Sequence, residues 1–160
     1  MIGAMEARMQ VRARRDQGAE DEALGRIMYD AIHHGPSQYS AAERQAWLPA
    51  PNAGDGWRAR LSAQQVWVAH DGTGPVGFMT LDEDYIDLAF VAAGWQGKGV
   101  FKTLFARVEA AAQGHRRLWT HASLMAQPAF LAVGFHVIRQ ENVTRNGEVL
   151  RRAEMEKMLE

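Results

Sequence analysis

The sequence changes its hydrophobic period across one short glycine-rich bend, residues 94–99 (GWQGKG), and this change constrains the fold more than any other feature. Before the bend, residues 85–91 (YIDLAFV) have the β-branched and aromatic composition of a strand. After it, apolar residues recur at helical spacing and predict an amphipathic helix over residues 99–113. The chain must therefore pass from a strand directly into a helix through three closely spaced glycines.

The bend combines the properties of a phosphate-binding loop. A helix N-terminus presents unpaired backbone N–H groups and about half a positive charge. Glycines allow a phosphate to approach the backbone and tolerate positive φ angles. Lys98 would add a charge, and the Gln96 side chain can donate hydrogen bonds to phosphate oxygens. Glycines at such a position also make plain tight turns, so the residues alone leave both interpretations open.

Two common nucleotide-binding motifs do not describe this bend. The G-x-G-x-x-G spacing of a dinucleotide site is absent, and the preceding strands are predicted to form an antiparallel meander rather than a βαβ unit. No G-K-[ST] follows four residues after a glycine, which excludes a P-loop.

The rest of the chain predicts an α+β (mixed α/β) fold with a single central, largely antiparallel twisted sheet flanked by helices. Helices are expected over residues 20–34, over a segment opened by Ser40 and Glu43 in a capping-box pattern, over 57–63 and over 128–133. Further strands are expected over residues 9–15, 65–70, 76–81, 118–122, 135–143 and 149–158, with a turn at 145–147.

Composition narrows the class of protein. The chain has 160 residues, of which 18 are basic and 19 acidic, and no cysteine, so disulfides, thiolate zinc sites and cysteine nucleophiles are excluded. The chain has no excess of basic residues that would indicate a nucleic-acid partner, and it has no apolar run long enough to indicate a membrane partner. Residues 1–15 lack the apolar segment of a secretory signal. We expect one cytoplasmic domain over residues 1–160, and whether it forms a homodimer stays open.

The bend and its surroundings resemble the GNAT acetyltransferases. That family has a strand, then Gln or Arg, x, x, Gly, x, Gly or Ala, then a helix; here residues 96–101 fall on the motif, and Val91 stands where the fourth strand usually ends. The later order is also similar: a short strand (LWTHAS), a helical segment over 128–133, Gly134-Phe135 opening the next strand, and a last strand ending near Met155-Glu156-Lys157.

The resemblance implies a chemistry. Acetyl-CoA would be the co-substrate, and a primary amine of a small molecule or peptide would attack its thioester directly; an acyl-CoA-binding module without catalysis is the alternative. A backbone N–H near Phe90 would face the developing oxyanion, a contact worth about 3 kcal/mol when well placed. The resemblance places pantetheine at the backbone of Phe90 and Val91, and the pyrophosphate at Gln96, Gly97, Lys98, Gly99, Val100 and Phe101.

Two residues depart from the family pattern. Phe101 replaces the usual small residue at the last motif position, where its ring either crowds a phosphate or points into the core. Phe130 stands four residues before Gly134, where many members have a tyrosine that can protonate the leaving thiolate. A phenylalanine has no proton to give, so the usual acid cannot be assigned.

Three side chains are candidates for catalysis or cofactor contact. Asp87 interrupts an apolar strand, where burial is expected to raise its pKa toward neutrality and suit it as a general base; a structural hydrogen-bonding role is the alternative. His121 has the ordinary pKa closest to neutral pH and could relay a proton. Ser123 could hydrogen-bond the cofactor or cap the short helix that follows.

The acceptor pocket is harder to predict. Tyr39, Trp47 and Trp57 belong to the N-terminal helical region, which forms one wall of the acceptor pocket in the family; packing is favoured for Trp47, and the other two stay open. The acidic stretch over residues 82–87 (DEDYID) suggests a cationic acceptor. His33 and His34 have no carboxylate at ligand spacing, and no metal is expected.

Overall fold

A computed structural model describes residues 9–16 and 18–160. The first eight residues belong to the segment that was expected to lack a secretory signal, and they lie outside the described residues. The strands are β1 (Gln10–Ala13), β2 (Gln65–His70), β3 (Pro75–Asp82), β4 (Tyr85–Val91), β5 (Arg117–Ser123), β6 (His136–Arg145) and β7 (Glu148–Met158). The helices are α1 (Gly18–His34), α2 (Ala41–Trp47), α3 (Gly54–Ser62), α4 (Val100–Ala111) and α5 (Gln127–Ala132), with a 3-10 turn over Ala93–Trp95.

The predicted fold class is confirmed: the strands form one sheet in the order β1-β2-β3-β4-β5-β7-β6, with helices on both faces. The predicted meander is present, since β2, β3 and β4 pair antiparallel in sequence order. The capping box of α2 is also present, with the Ser40 hydroxyl accepting from the Glu43 amide and the Glu43 carboxylate accepting from the Ser40 amide.

Two predicted boundaries were wrong for identifiable reasons. The first strand was predicted over 9–15, but its pairing with β2 covers only Gln10 to Ala13 and ends after the Arg14 amide donates to the Val66 carbonyl at 2.8 Å, because the chain then turns into α1, where the Arg14 side chain pairs with Asp21. Arg145 was predicted to lie in a turn but ends β6, because Asn146 and Gly147 alone make the reversal with φ angles of 48° and 83°. Because β6 extends to Arg145, this residue reaches the candidate site.

The sheet is held together weakly at one place, between β4 and β5. These strands are parallel and pair only at Tyr85↔Trp119 and Ile86↔Thr120. The Thr120 hydroxyl donates to the Ile86 carbonyl at 2.8 Å, and beyond this link the strands part. Just there the β3–β4 register shifts, and the Thr80 hydroxyl accepts the Leu88 amide at 2.9 Å. Such a bulge bends its strand, so β4 turns away where its pairing with β5 ends.

Two apolar clusters cover the faces of the sheet and fix the helices around this gap. On one face, Phe78 and Leu88 pack under α1, α2 and α3. On the other, Met79 and Ile86 pack under α4 and α5. Because α4 connects the two parting strands, its N-terminus lies at the open end of the gap. No helix in the described part of the chain is long and apolar enough to cross a membrane.

One helix packs so closely on a loop that it requires a glycine. A Cβ on Gly25 in α1 would lie 2.0 Å from the Asn52 carbonyl oxygen. We therefore expect Gly25→Ala to lower the free energy of unfolding by about 1–3 kcal/mol, as overpacking does. Gly56→Ala in α3 is the matched control, because nothing lies within 4 Å of its Cβ position. Alanine should raise stability there by about 0.5–1 kcal/mol. Urea denaturation of both variants measures the difference, and equal effects would contradict this packing.

Candidate active site

A cleft of about 500 Å³ opens where β4 and β5 part. It runs from the end of β4 across the glycine bend to the N-terminus of α4 and is closed on the far side by α5. All but one of the cofactor-site residues predicted from the sequence line this cleft. They are Phe90, Val91, Gln96, Gly97, Gly99, Val100, Phe101 and Ser123. The exception is Lys98, whose ammonium lies 5.3 Å from the centre of the Trp95 ring.

The backbone of the bend is open toward this cleft. Gly97 and Gly99 have φ angles of 75° and 84°, a conformation that favours glycine, and no heavy atom lies within 4 Å of where their Cβ atoms would be. No side chain caps α4 at Gly99, and within the described residues the amides of Gly97, Lys98 and Gly99 make no hydrogen bond to protein atoms. The amides of the first helical turn add their unpaired donors. The bend is thus a set of free donors at a positive helix end.

The Gln96 side chain lines the cleft but is partly engaged within the protein. Its Nε2 donates to the Val91 carbonyl at 3.1 Å, and it packs against Gly35 at the end of α1. Donation to a phosphate stays a prediction that only the second N–H of this amide can fulfil, since the first is taken by Val91. Val91 has no neighbouring strand on the side of the gap, so its carbonyl takes a side-chain donor instead. Gln96 ties the bend to the end of β4.

Phe101 points toward the core rather than across the bend. Its ring packs edge-to-face on Phe130, with centroids 5.1 Å apart and an interplanar angle of 89°. Phe130 is itself buried, with 2% of its surface exposed, and also packs on Phe135. Of the two alternatives for Phe101, the structure has the core-facing one. The two departures from the family pattern are in contact with each other.

The edge of β4 presents unpaired amides to the gap. The amides of Leu88 and Ala92 both donate toward β3, to the Thr80 hydroxyl and the Val76 carbonyl. Because successive residues of a strand point their N–H groups to opposite edges, Ala89 and Val91 direct theirs toward the gap. The amide of Phe90 faces β3, where Phe90 pairs with Phe78. The N–H expected near Phe90 therefore belongs to its neighbours, and Ala89 was not identified from the sequence.

A second cavity of about 340 Å³ lies on the other side of the gap. It shares Ala89, Phe90, Ser123 and Ala126 with the first, so the two meet at the parted strands. Helices α1 and α2 and the β6–β7 hairpin form its walls. The structure therefore provides two adjacent chambers with a common wall of β4 and β5.

Asp87 lines the second cavity but is already paired. Its two oxygens accept from Nε and Nη2 of Arg60, each at 2.9 Å, and Oδ2 also accepts from Nε2 of Gln64 at 2.9 Å. Burial alone would raise the pKa of Asp87, but the hydrogen bonds from Arg60 and Gln64 outweigh it and hold the pKa below its ordinary value. The expected rise of this pKa toward neutrality is wrong, because Arg60 on α3 and Gln64 face this strand, a contact between distant segments that no local pattern indicates. The structure favours the alternative of a hydrogen-bonded structural carboxylate.

His121 also lines the second cavity and lies among polar groups. Its Nδ1 is 2.9 Å from the Tyr85 hydroxyl, and its Nε2 is 3.3 Å from a Glu141 oxygen. Burial and the nearby charge of Arg152 lower the pKa of His121, so the ring is neutral at pH 7. Burial also raises the pKa of the Tyr85 hydroxyl. Tyr85 was missed because nothing in the sequence shows that it reaches across to β5.

Ser123 lies at the junction of the two cavities, where its hydroxyl accepts from the Ala126 amide at 3.2 Å. This contact closes the turn before α5, whose N-cap is Ala126 without any side-chain cap, so the expected capping role of Ser123 is wrong. The proton of its hydroxyl is left free to donate. Tyr39 is buried and bridges elements, donating to the Arg151 carbonyl at 2.5 Å and accepting from the Leu124 amide at 3.0 Å.

The tryptophans divide between packing and lining. Trp47 lines the second cavity and packs on Tyr39 and Phe90, with centroids 5.6 and 6.1 Å apart. Trp57 is buried below α1 and donates to the Asp21 carbonyl at 2.6 Å, so it packs and does not line the pocket.

The acidic stretch does not make an acidic pocket. Glu83 and Asp84 do not line either cavity, and Asp84 accepts from the Trp119 indole at 3.1 Å. Of the four carboxylates in this stretch only Asp87 lines the second cavity, where Arg60 neutralises it. The cationic acceptor suggested by this stretch requires an acidic pocket, and the carboxylates do not form one, whereas three arginines line this chamber: Arg60, Arg145 and Arg152.

The histidines at the end of α1 are engaged locally. His33 Nε2 lies 2.7 Å from the Leu48 carbonyl, and His34 Nδ1 lies 3.0 Å from Asp30. Over residues 9–16 and 18–160, no group of three or more His, Asp or Glu side chains is arranged to hold a metal ion.

Comparisons with known proteins agree on one family. A family model described as an acetyltransferase (GNAT) domain matches residues 36–159. The chain is 30% identical over 138 residues to the uncharacterized N-acetyltransferase YafP of Escherichia coli strain K12, covering 86% of this chain and 89% of that protein.

Solved structures give the same result. A GCN5-related N-acetyltransferase from Rhodopseudomonas palustris superposes with a TM-score of 0.86 at 28% identity, over 94% of this chain and 95% of that one. The putative acetyltransferase yncA from Salmonella typhimurium, solved with its cofactor acetyl-CoA, shares the fold at 19% identity with a TM-score of 0.66, over 95% and 94%. The chain therefore belongs to the GNAT family of acetyl-CoA-dependent acetyltransferases.

Proposed function

We propose that this protein transfers the acetyl group of acetyl-CoA to a primary amine of a small molecule or peptide by direct attack. The observation that carries this proposal is the gap between β4 and β5, onto which a chamber opens from each side. A thioester in the gap would be within reach of a cofactor chamber on one side and an acceptor chamber on the other. The structure of yncA, which shares this fold and was solved with acetyl-CoA, supports acetyl-CoA as the co-substrate, and the free donors of the glycine bend favour the first chamber for it.

The bend at the N-terminus of α4 would hold the pyrophosphate. Its free amides at Gly97, Lys98 and Gly99, together with the first-turn amides at Val100 and Phe101, supply donors and a positive helix end. These contacts use backbone atoms, so they do not depend on the side chain of Gln96 or on the distance of Lys98 from the cleft. The pantetheine arm would run along β4, where Ala89 and Val91 present their amides.

The same strand edge would stabilise the reaction intermediate. The amine nitrogen attacks the thioester carbonyl carbon, negative charge develops on the carbonyl oxygen, and the carbon–sulfur bond then breaks to release CoA as a thiolate. An amide of Ala89 or Val91, fixed by pairing of β4 with β3, can donate to that oxygen. A donor held in place in this way contributes about 3 kcal/mol to lowering the barrier.

His121, expected from the sequence as a proton relay, is a better candidate for the base than Asp87. Asp87 is held as an ion pair with Arg60, and its lowered pKa makes it a poor proton acceptor at neutral pH. His121 is neutral at pH 7, lines the acceptor chamber and shares a hydrogen bond with Tyr85. We infer that His121 removes the proton from the attacking amine, while Ser123 donates a hydrogen bond to the cofactor near the thioester.

The competing function is an acyl-CoA-binding module that has lost catalysis, and Phe130 at the usual tyrosine position favours it. An assay of thiol release with a panel of amines decides between them. Turnover on any primary amine supports the transferase, whereas tight acetyl-CoA binding with no turnover on any amine supports the module.

Gly99→Ala tests the cofactor chamber. A Cβ there projects into the opening of the bend, so we expect acetyl-CoA affinity to fall by about tenfold or more, measured by isothermal titration calorimetry. Gly72→Ala is the control, because Gly72 also has positive φ (95°) and open space but lies in the β2–β3 turn, away from both cavities. Both variants carry similar backbone strain, about 1–2 kcal/mol. Unchanged affinity in Gly99→Ala would place the pyrophosphate elsewhere.

The pH dependence of kcat/KM tests His121. Because burial and Arg152 lower the pKa of His121, its base form persists at lower pH, and the acidic limb of kcat/KM should lie below the ordinary histidine pKa of about 6.5. His121→Asn should remove that limb and lower kcat by about a hundredfold or more. His136→Asn is the control, an exposed histidine on β6 paired with Glu156. Ionisation of the acceptor amine gives a separate limb that moves with the basicity of the acceptor, so the limb assigned to His121 is the one that stays at the same pH for acceptors of different basicity. Survival of that limb in His121→Asn would exclude His121 as the base.

A further inference from the structure

We propose that the acceptor amine also carries an anionic group, a carboxylate or phosphate, and that Arg145 binds it. This inference rests on the proposed function, because it names the substrate class of the same site. It reverses the cationic acceptor that the acidic stretch over residues 82–87 suggested.

The charges that line the acceptor chamber leave a positive excess. Arg60 and Asp87 neutralise each other through two hydrogen bonds. Arg152 uses its Nε to pair with Glu141 at 3.0 Å. Arg145 has no carboxylate within 4 Å among residues 9–16 and 18–160. A cation that lines a cavity and has no partner within the described chain is a recognition element for an anion.

The position of Arg145 is fixed by the fold rather than by a mobile loop. Arg145 is the last residue of β6 and pairs in register with Glu148, with which it makes no ion pair. The neighbouring Asn146 donates its side-chain amide to the Ala46 carbonyl of α2 at 2.7 Å. This bond anchors the hairpin turn to the helix that forms the opposite wall of the chamber.

The hairpin presents one alternating face to the chamber. Arg145 and Val143 lie two residues apart on β6, and Leu150 and Arg152 two apart on β7, with Val143 opposite Leu150. Residues two apart point to the same face of a strand. All four line the cavity. The face therefore has an apolar middle and an arginine toward each end, and each arginine stands opposite a glutamate, Glu148 or Glu141, that does not line the cavity.

One part of the wall is aromatic and aliphatic, formed by Tyr39, Trp47, Leu48 and Phe90, while polar side chains such as Asn52, Tyr85, Thr120 and His121 line the rest. The chamber volume of about 340 Å³ is near the lower limit for small-ligand sites, about 300 Å³. Arg145 is exposed to solvent at the mouth of the chamber, and its planar guanidinium can bind a carboxylate or phosphate through two parallel hydrogen bonds. The best fit is a small amine with an apolar body and one anionic group.

Matched acceptor pairs test this directly. Phenylalanine is compared with phenylalaninamide, and phosphoethanolamine with ethanolamine, each as acceptor with acetyl-CoA. The amide has the less basic amine, so more of it is in the reactive neutral form, and chemistry alone favours it. We nevertheless expect kcat/KM to be about tenfold higher for the anionic member of at least one pair. The pair with the larger ratio tells whether the anion is a carboxylate or a phosphate.

Arg145→Gln should lower kcat/KM for the anionic acceptor by about tenfold and leave that for its neutral partner unchanged. Arg151→Gln is the control, because Arg151 adjoins Arg152 on β7 but does not line the chamber. Equal kcat/KM for both members of each pair, or an equal loss for both in Arg145→Gln, would overturn the proposal.

A failure of the proposed function gives a different result. If no amine is acetylated although acetyl-CoA binds, the transferase proposal fails, and the anion proposal is then tested by calorimetric titration of the same pairs into the CoA-saturated protein. Binding of an anionic member that Arg145→Gln abolishes would support the anion site. Binding of neither member, or of both equally, would overturn it.

Discussion

The parting of β4 from β5 is the constraint on which the rest of the site depends. Two paired positions and one hydroxyl bond from Thr120 to the Ile86 carbonyl hold the halves of the sheet together, and beyond them β4 loses its neighbour. A strand without a neighbour exposes amides and carbonyls that must find other partners. Gln96 satisfies one carbonyl, and the remaining amides face a cleft. The chemistry follows from hydrogen bonds that the sheet does not make.

The fold and the cofactor chamber could largely be predicted, because they depend on local patterns. The change of period around residues 94–99, the glycines and the motif over residues 96–101 are all carried by adjacent positions. The positive φ angles of Gly97 and Gly99 follow from the same short segment. A site built from backbone atoms near one bend is carried by one short stretch of sequence, although only the wider order of strands and helices distinguishes it from a plain tight turn.

The acceptor chamber could not be predicted in the same way, because it depends on contacts between distant segments. Arg60 on α3 determines the charge state of Asp87 on β4, and no periodicity links them. Arg145 reaches the chamber only because Asn146 and Gly147 complete the hairpin turn. The expected acidic pocket and raised pKa of Asp87 failed for this single reason: the sequence shows the carboxylates but not the arginines that face them.

The central claim is that the free amides at the N-terminus of α4 hold the pyrophosphate of acetyl-CoA. A crystal structure of the complex with acetyl-CoA tests it most directly. We expect pyrophosphate oxygens about 2.7–3.2 Å from the amide nitrogens of residues 97–101, with the thioester between β4 and β5. A pyrophosphate bound away from this bend, with those amides still unpaired, would contradict it.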